Sequence, residues 1–404
     1  MADPKPSAVK AIQSIRDFEL KGQKVLIRVD FNVPLSEPDA EGHRKVEDDT
    51  RIREAVPTLR FAIDAGAKVI LASHLGRPKG KPDAQYSMEP AALHLAELLG
   101  VEVTLADACV GDGIELMAKN LKNGQVLMLE NLRFHPGEEA CDPQFCAELS
   151  RLCDIYINDA FGTSHRKHAS VYGLPKIVEK RGMGFLIEKE LKHFDAILKA
   201  PKKPFFLVLG GAKVGDKIKT IEALLPNIDG MVVGGAMAYA FMQAKEWPLP
   251  MGAKTPSQDD VTAARSILRE AEKRKIPVKL PEDFVASFDI GTKTVASFST
   301  FLDRAKTIFW NGPMGWFEKP EYAKGTMALV ENIARITAVK IVGGGDTVSA
   351  INQSGLAEKF DHLSTGGGAS LEYLEGNGLP GTDILKTYAR PKGVYLSDFG
   401  DDEE

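Results

Sequence analysis

Cysteine is scarce in this chain, with four in 404 residues. Cys109, Cys141, Cys146 and Cys153 form no CxxC pair and have no histidine at zinc-ligand spacing, which argues against a disulfide framework or a structural metal centre. They read as packing residues in a reducing compartment. Long apolar runs are also missing. No stretch approaches the ~20 residues a membrane-spanning helix requires, and residues 1–15, which alternate Pro, Lys and Ala, lack the apolar centre of an export signal. Positive charge is not in excess either: the net charge is −5, so neither nucleic acid nor an anionic membrane is the expected partner, and any basic site must be local. The expectation is a soluble cytoplasmic protein, with the acidic stub 400–404 (GDDEE) solvated.

What is present is an alternation. In the first half, short apolar runs at 24–30 (KVLIRVD), 67–73, 101–105, 125–130 and 154–158 read as strands buried on both faces. Between them, 52–65, 90–99, 113–121 and 143–152 carry apolar residues at helical spacing. A long amphipathic helix at 185–198 ends at 200–204 (APKKP), and a second strand series follows at 205–209, 231–233, 277–280, 307–310 and 340–342. With 44% hydrophobic residues, the chain is expected to fold as two α/β domains, each a doubly wound, Rossmann-like parallel sheet, joined by a connecting helix and hinge.

The second half organises around 340–350 (KIVGGGDTVSA), a strand, a glycine turn and a helix start. Free amides and the helix dipole there suit phosphate oxygens. Asp346 offers a hard oxygen to Mg²⁺, and Asp346 or Thr347 is expected to cap the helix. Alone this is an ordinary capped turn. Four other small-residue turns follow apolar runs in the same half, however, and such turns converge at the carboxyl edge of a parallel sheet. The order GxxxxGK[ST] is broken at 210–217, GxGxxG is absent, and no HRD or DFG occurs, which disfavours a P-loop enzyme, a dehydrogenase and a protein kinase. The first half places Asp30, Phe31, Asn32, Arg51, His74, Leu75, Gly76, Arg77, Arg133 and Arg166 after strands or at helix starts. Parallel strands would gather these positions into one local cluster suited to carboxylate and phosphate.

Eight segments together carry a resemblance: RVDFNVP (28–34), SHLGRP (73–78), ENLRF (130–134), AFGTSHR (160–166), GGAKVGDKI (210–218), WNGPMGWFE (310–318), GGGDT (343–347) and STGGGASLE (364–372). In this order they resemble the phosphoglycerate kinase family along nearly the whole chain. The resemblance implies reversible, Mg²⁺-dependent phosphoryl transfer from 1,3-bisphosphoglycerate to ADP, giving 3-phosphoglycerate and ATP, by a monomer. It assigns the first-half residues named above to the phosphoglycerate, and Lys213, Lys217, Asn311, Glu318, Gly344, Gly345, Asp346 and Thr347 to the nucleotide, with Asp346 toward the metal. Arg51, Lys213, Gly345, Gly367 and Gly368 would surround the transferring group. The implied division is 1–184 for phosphoglycerate, 185–200 as hinge, 201–382 for nucleotide and 383–404 as a tail packing back on the first domain. Ser287 and Phe288 replace the family's usual Gly-Leu, Gly215 a usual Ser, and Ser164 a usual Ala. A two-domain binding protein without catalysis remains the other reading, since fold does not determine function.

Overall fold

In the computed structural model, which describes residues 11–386, two sheets of six strands each are assembled from parallel pairs only. The first half contributes β1 (Lys24–Val29), α1 (Thr50–Asp64), β2 (Lys68–Ala72), α2 (Glu89–Leu99), β3 (Val103–Leu105), α3 (Asp112–Asn120), β4 (Val126–Met128), α4 (Gly137–Ala140), α5 (Pro143–Ser150), β5 (Ile155–Asp159), α6 (Leu174–Ile177), β6 (Arg181–Met183) and α7 (Phe185–Lys199). The second contributes β7 (Phe205–Leu209), α8 (Ile218–Leu224), β8 (Gly230–Val233), α9 (Ala238–Ala244), α10 (Gln258–Lys273), β9 (Val278–Lys279), β10 (Phe284–Val285), β11 (Asp289–Ile290), α11 (Thr292–Leu302), β12 (Thr307–Asn311), α12 (Lys324–Arg335), β13 (Val339–Gly343), α13 (Gly345–Gln353), β14 (His362–Leu363), α14 (Gly368–Leu374) and α15 (Pro380–Asp383). Every apolar run expected to be a strand is one. β6, β14 and the antiparallel hairpin β10–β11 are additional; they are two or three residues long and leave no periodic signal. The acidic stub 400–404 and the first ten residues lie outside the described residues.

Each sheet is covered on both faces because its strands alternate. Val25, Ile27 and Val29 pack on one side of β1 and Leu26 on the other; Phe205, Leu207 and Leu209 are divided from Phe206 and Val208 in the same way. The second sheet runs β9-β8-β7-β12-β13-β14, the order of a Rossmann sheet. The first runs β3-β4-β2-β1-β5-β6, with β4 inserted between β2 and β3. Strand order therefore reverses beside β1 and beside β7, and a crevice opens at the carboxyl end of each.

α7 joins the halves and touches both. Toward the first, Phe185 packs edge-on against Phe61 with centroids 5.3 Å apart, and Lys189 pairs with Glu54 at 2.8 Å. Toward the second, the fully buried Glu190 accepts from His362 Nε2 at 2.6 Å and from the Thr365 amide at 3.1 Å, and the Tyr373 hydroxyl donates to Asp195 at 2.7 Å. Past Leu379, which belongs to the second core, the chain crosses back. The Gly381 amide donates to Ser164 O at 2.8 Å, Asn158 Nδ2 donates to Gly381 O at 3.0 Å, and Leu385 enters the first-half core. Ser164 takes part in this anchorage, since its hydroxyl accepts from Asn158 Nδ2 at 3.1 Å.

Asp159, at the end of β5, accepts from the first amides of α7, Leu186 at 2.9 Å and Ile187 at 3.4 Å. Burial pushes its carboxyl up to about 7, despite those amides and the Thr58 hydroxyl, and its Oδ2 has no partner among the described residues. The native state therefore binds more protons than the unfolded chain between about pH 4 and pH 7. The stabilisation is complete below about pH 4 and is lost as pH rises through 7. Asp159→Asn keeps an acceptor and cannot ionise. Its melting temperature relative to the parent is expected to rise by about 5–10 °C between pH 5 and pH 8.5, because about two pH units of linkage at about 1.4 kcal/mol each are lost by the parent and 1 kcal/mol is worth about 2–4 °C in a domain of this size; a gap independent of pH would show that Asp159 does not titrate in this range.

Candidate active site

The first crevice is lined by the loops that follow β1, β2, β4 and β5. Asp30 is buried and accepts from Arg51 Nη1 at 3.1 Å; the same nitrogen donates to Asn32 O at 3.1 Å, and Asn32 Oδ1 takes the Gly76 amide at 2.9 Å. One edge of Arg51 is thus fixed at the start of α1 while the rest of its fork is left for a ligand. Arg133 is buried, donates to Gly76 O at 2.7 Å and pairs with Glu139 at 3.0 Å. Arg166 is partly exposed, with its Nε 3.2 Å from His165 Nε2, and Arg77 is exposed. Phe31 and Leu75 point into the core, so only their backbones face the crevice.

His74 sits at the centre. Burial, reinforced by Arg28, Arg133, Arg166 and Arg51, holds its pKa well below the ordinary histidine value, so the ring is neutral. Arg28 Nη2 lies 3.2 Å from Nδ1 and can only donate, which puts the ring proton on Nε2. The 3.8 Å approach of Nδ1 to Asp30 is therefore no ion pair. His168 is pushed down to about 4 and His165 is also lowered, in both cases first by burial and then by neighbouring guanidiniums.

Arg28 and the layer beneath it escape the sequence reading. Arg28 Nε donates to Ser170 Oγ at 2.8 Å; that hydroxyl donates to Glu138 Oε1 at 2.6 Å, and Glu138 Oε2 takes the Ser170 amide at 3.0 Å. All three are buried. A signal was available in KVLIRVD, because an arginine inside a run buried on both faces survives only with partners.

The second crevice is lined by the loops after β7, β12 and β13. Lys217 donates to Gly210 O at 2.6 Å, and burial brings its ammonium down to about 8 against the opposing pull of Asp216 and Asp346. Gly312, at φ +96°, passes so close to Gly210 that a Cβ would stand 2.2 Å from its carbonyl oxygen. Asn311 is buried under the β13 turn, and Gly344, at φ +92°, forms the N-cap of α13. The expected capping by Asp346 or Thr347 does not occur. Neither side chain bonds to the amides of α13: Thr347 Oγ1 is buried and accepts from the Gly312 amide at 2.7 Å, while Asp346 is exposed. Inside the first turn instead of ahead of it, neither side chain reaches back to those amides, which stay available. Gly345, Lys213 and Glu318 are exposed. Asp260 is held low mainly by the Ser257 hydroxyl and less by Lys213, so Lys213 lies within electrostatic reach of α10. Ser287 adopts φ +70°, a conformation that favours glycine, and Phe288 meets Trp316 and Tyr322 with ring centroids 5.8 and 4.9 Å apart.

The two crevices meet at one loop. Gly367 and Gly368 start α14, and the carbonyls of Thr365 and Gly366 lie 3.4 and 3.7 Å from the point a Cβ on Gly162 would occupy; Asp30 Oδ2 lies 2.8 Å from the same point.

Residues 15–377 match the family described as phosphoglycerate kinase. The chain belongs to the phosphoglycerate kinase family. It is thereby a kinase of glycolysis, a transferase with a nucleotide substrate. A phosphoglycerate kinase of Anaeromyxobacter sp. (strain Fw109-5) is 47% identical, over 93% of this chain and all of its own length, and one from Bdellovibrio bacteriovorus is 44% identical, over 95% and all of its length. The solved phosphoglycerate kinase of Coxiella burnetii superposes with a TM-score of 0.81 at 33% identity, covering 93% of this chain and 99% of that one. The enzyme of Pyrococcus horikoshii gives 0.81 at 32%, covering 92% and 98%.

Proposed function

We propose that phosphoglycerate binds in the first crevice, against Asp30, Asn32, Arg51, His74, Arg77, Arg133 and Arg166 and the backbones of Phe31, Leu75 and Gly76. The nucleotide binds in the second, against Lys213, Lys217, Asn311, Glu318, Gly344, Gly345, Asp346 and Thr347. The observation that carries this reading is the convergence of Arg28, Arg51, Arg133 and Arg166 on a neutral His74 in a protein of net charge −5, an excess that a multiply charged anion would neutralise. The leaving carboxylate and the accepting phosphate oxygen of ADP, whose roles exchange in the reverse direction, are both ionised at neutral pH, so no general base is needed. The residues act by position and charge. Arg51 and Lys213, with the amides of Gly345, Gly367 and Gly368, surround the phosphoryl oxygens, and His74 Nε2–H donates to the bound anion.

Among the described residues no three His, Cys, Asp or Glu side chains converge as a metal site. Of the exposed carboxylates at the second crevice, Asp346 at the start of α13 is the one a divalent cation would meet. That fits Mg²⁺ carried chiefly by nucleotide phosphates and water. When bound, it would supply positive charge to those phosphates.

The deciding assay combines ADP, Mg²⁺ and 1,3-bisphosphoglycerate. Rapid ATP formation is expected; tight binding of both ligands without turnover would favour the passive binding protein. The chain works as a cytoplasmic monomer in this reading. No helix among the described residues is long and apolar enough to cross a membrane.

In this reading residues 1–184 are the phosphoglycerate domain, 201–382 the nucleotide domain and 185–200 the hinge, and the described start of the tail returns to the first half through Leu385. In-line transfer needs reacting atoms about 3–3.5 Å apart in a site closed to water. Closure must draw on contacts from both ligands. Small-angle scattering is expected to give the smallest radius of gyration with 3-phosphoglycerate and a nonhydrolysable Mg·ATP analogue together; an unchanged radius in a saturated, active sample would exclude large-scale closure.

Lys217 gives a second readout. Above about pH 8 its amine is mostly neutral in the free protein, and polyphosphate beside it favours the ammonium, so nucleotide binding takes up a proton there. Calorimetry in two buffers of different ionisation enthalpy should find that uptake larger at about pH 8.5 than at about pH 7 and absent in Lys217→Met; equal uptake in parent and variant would assign the proton elsewhere.

A further inference from the structure

Behind the arginine crevice, α4 ends at Cys141 and α5 carries Cys146. A Cβ on Gly173 would stand 2.3 Å from the Cys146 sulfur and 2.9 Å from that of Cys141, so both sulfurs face the gap left by the glycine. Cys141 is partly exposed and Cys146 is buried. The elements they hold are those that hold the arginines. Glu139, two residues before Cys141, pairs with Arg133, and Glu138 carries Ser170 and through it Arg28.

We propose that Cys141 and Cys146 form a reversible disulfide when the protein meets hydrogen peroxide, and that this bond loosens the phosphoglycerate crevice from behind. The Cys141 thiolate attacks one peroxide oxygen and the O–O bond breaks, leaving a sulfenic acid and hydroxide, which takes a proton to become water. The Cys146 sulfur then attacks the sulfenic sulfur. The S–O bond breaks, and the Cys146 proton leaves with the hydroxyl as a second water. Two thiols lose two electrons in all, and one peroxide becomes two waters.

The roles follow from the surroundings. Hydrogen bonding from the Cys146 thiol brings Cys141 down to about 7, which makes it the attacking thiolate; the same contact raises Cys146, which stays protonated until the sulfenic acid forms. Cys109 and Cys153 are driven upward by burial, and Cys109 donates to the carbonyls of Glu130 and Asn131 at 3.1 and 3.3 Å. They serve as internal controls. Joining the sulfurs draws α5 and the end of α4 together, and α4 is the support of both Arg133 and Ser170.

The test uses the whole reduced protein, freed of reductant and titrated with hydrogen peroxide. Alkylation and peptide mass mapping locate the oxidised thiols, and steady-state kinetics run on the same samples. The expected result is a 141–146 disulfide before any loss at Cys109 or Cys153, with the KM for 3-phosphoglycerate up by about threefold or more and that for ATP little changed. Dithiothreitol should reverse both changes. Cys146→Ser should stop at a sulfenic acid that dimedone traps, and Cys141→Ser should match the reduced parent and ignore peroxide. Earlier oxidation of Cys109 or Cys153, or thiols at 141 and 146 that survive about tenfold excess peroxide, would overturn the pair. A disulfide that leaves the 3-phosphoglycerate KM unchanged would overturn its effect on the crevice. The kinetic arm rests on the reading above, which fails separately if the reduced protein shows no transfer activity; mass mapping then still decides the disulfide.

Discussion

Arg51→Ala is expected to lower kcat by about 10³-fold or more, the scale on which arginines that stabilise a transferring phosphoryl group act, with a smaller change in the KM for 3-phosphoglycerate. The geometry gives the reason. Arg51 Nη1 is committed to Asp30 and Asn32 O, so the side chain is oriented before any ligand binds, and in the proposed mechanism its remaining donors meet charge that builds only as transfer proceeds. Arg51→Lys should recover little, because one ammonium cannot hold both partners and also reach the ligand. Arg133→Ala should behave differently. Its guanidinium is buried against Gly76 O and Glu139, and in the proposed binding mode it faces charge that the phosphoglycerate carries throughout, so its loss should mainly raise KM. If the two alanine variants gave the same kinetic signature, this division of roles would be wrong.

Asp346→Asn is expected to weaken Mg·nucleotide binding by at least the ~10–100-fold that losing even an outer-shell partner of a metal costs, and to lower turnover with it. Folding should be nearly unaffected, because Asp346 is exposed and makes no cap hydrogen bond in α13. A further signature follows from Lys217, whose ammonium Asp346 helps to keep. Without that carboxylate, the alkaline fall in nucleotide affinity should move to lower pH. Normal kinetics across a Mg²⁺ titration, with only the alkaline limb displaced, would leave Asp346 as a local charge and no metal ligand.

Five strands of each sheet could be read from runs such as FFLVL and KVLIRVD because burial on two faces demands unbroken apolar sequence. Parallel pairing follows from the helix between each pair, and it brings the loop residues Asp30, His74, Arg133 and Arg166 to one edge. The eight segments then named the family. All of this is local pattern plus one rule of connection, and sequence carries it well.

Other features depend on which groups become neighbours and on how far water is excluded. The insertion of β4 between β2 and β3 is a choice among pairings that the apolar pattern leaves equal. Short β6 and β14 exist because a longer neighbour offers its edge. Thr347 looked like a cap and instead ties α13 to Gly312, since its hydroxyl accepts from the loop after the neighbouring strand β12 and not from its own helix. Arg28 became the partner of His74 and Ser170 through contacts 46 and 142 residues away. The neutrality of His74, the lowered Lys217 and the facing sulfurs of Cys141 and Cys146 likewise arise from burial and proximity. Sequence determined the longer elements, their parallel pairing and the inventory of charged and thiol side chains; tertiary structure decided which of those groups ionise and which act together, because both depend on desolvation and distance, and neither is a property of a residue taken alone.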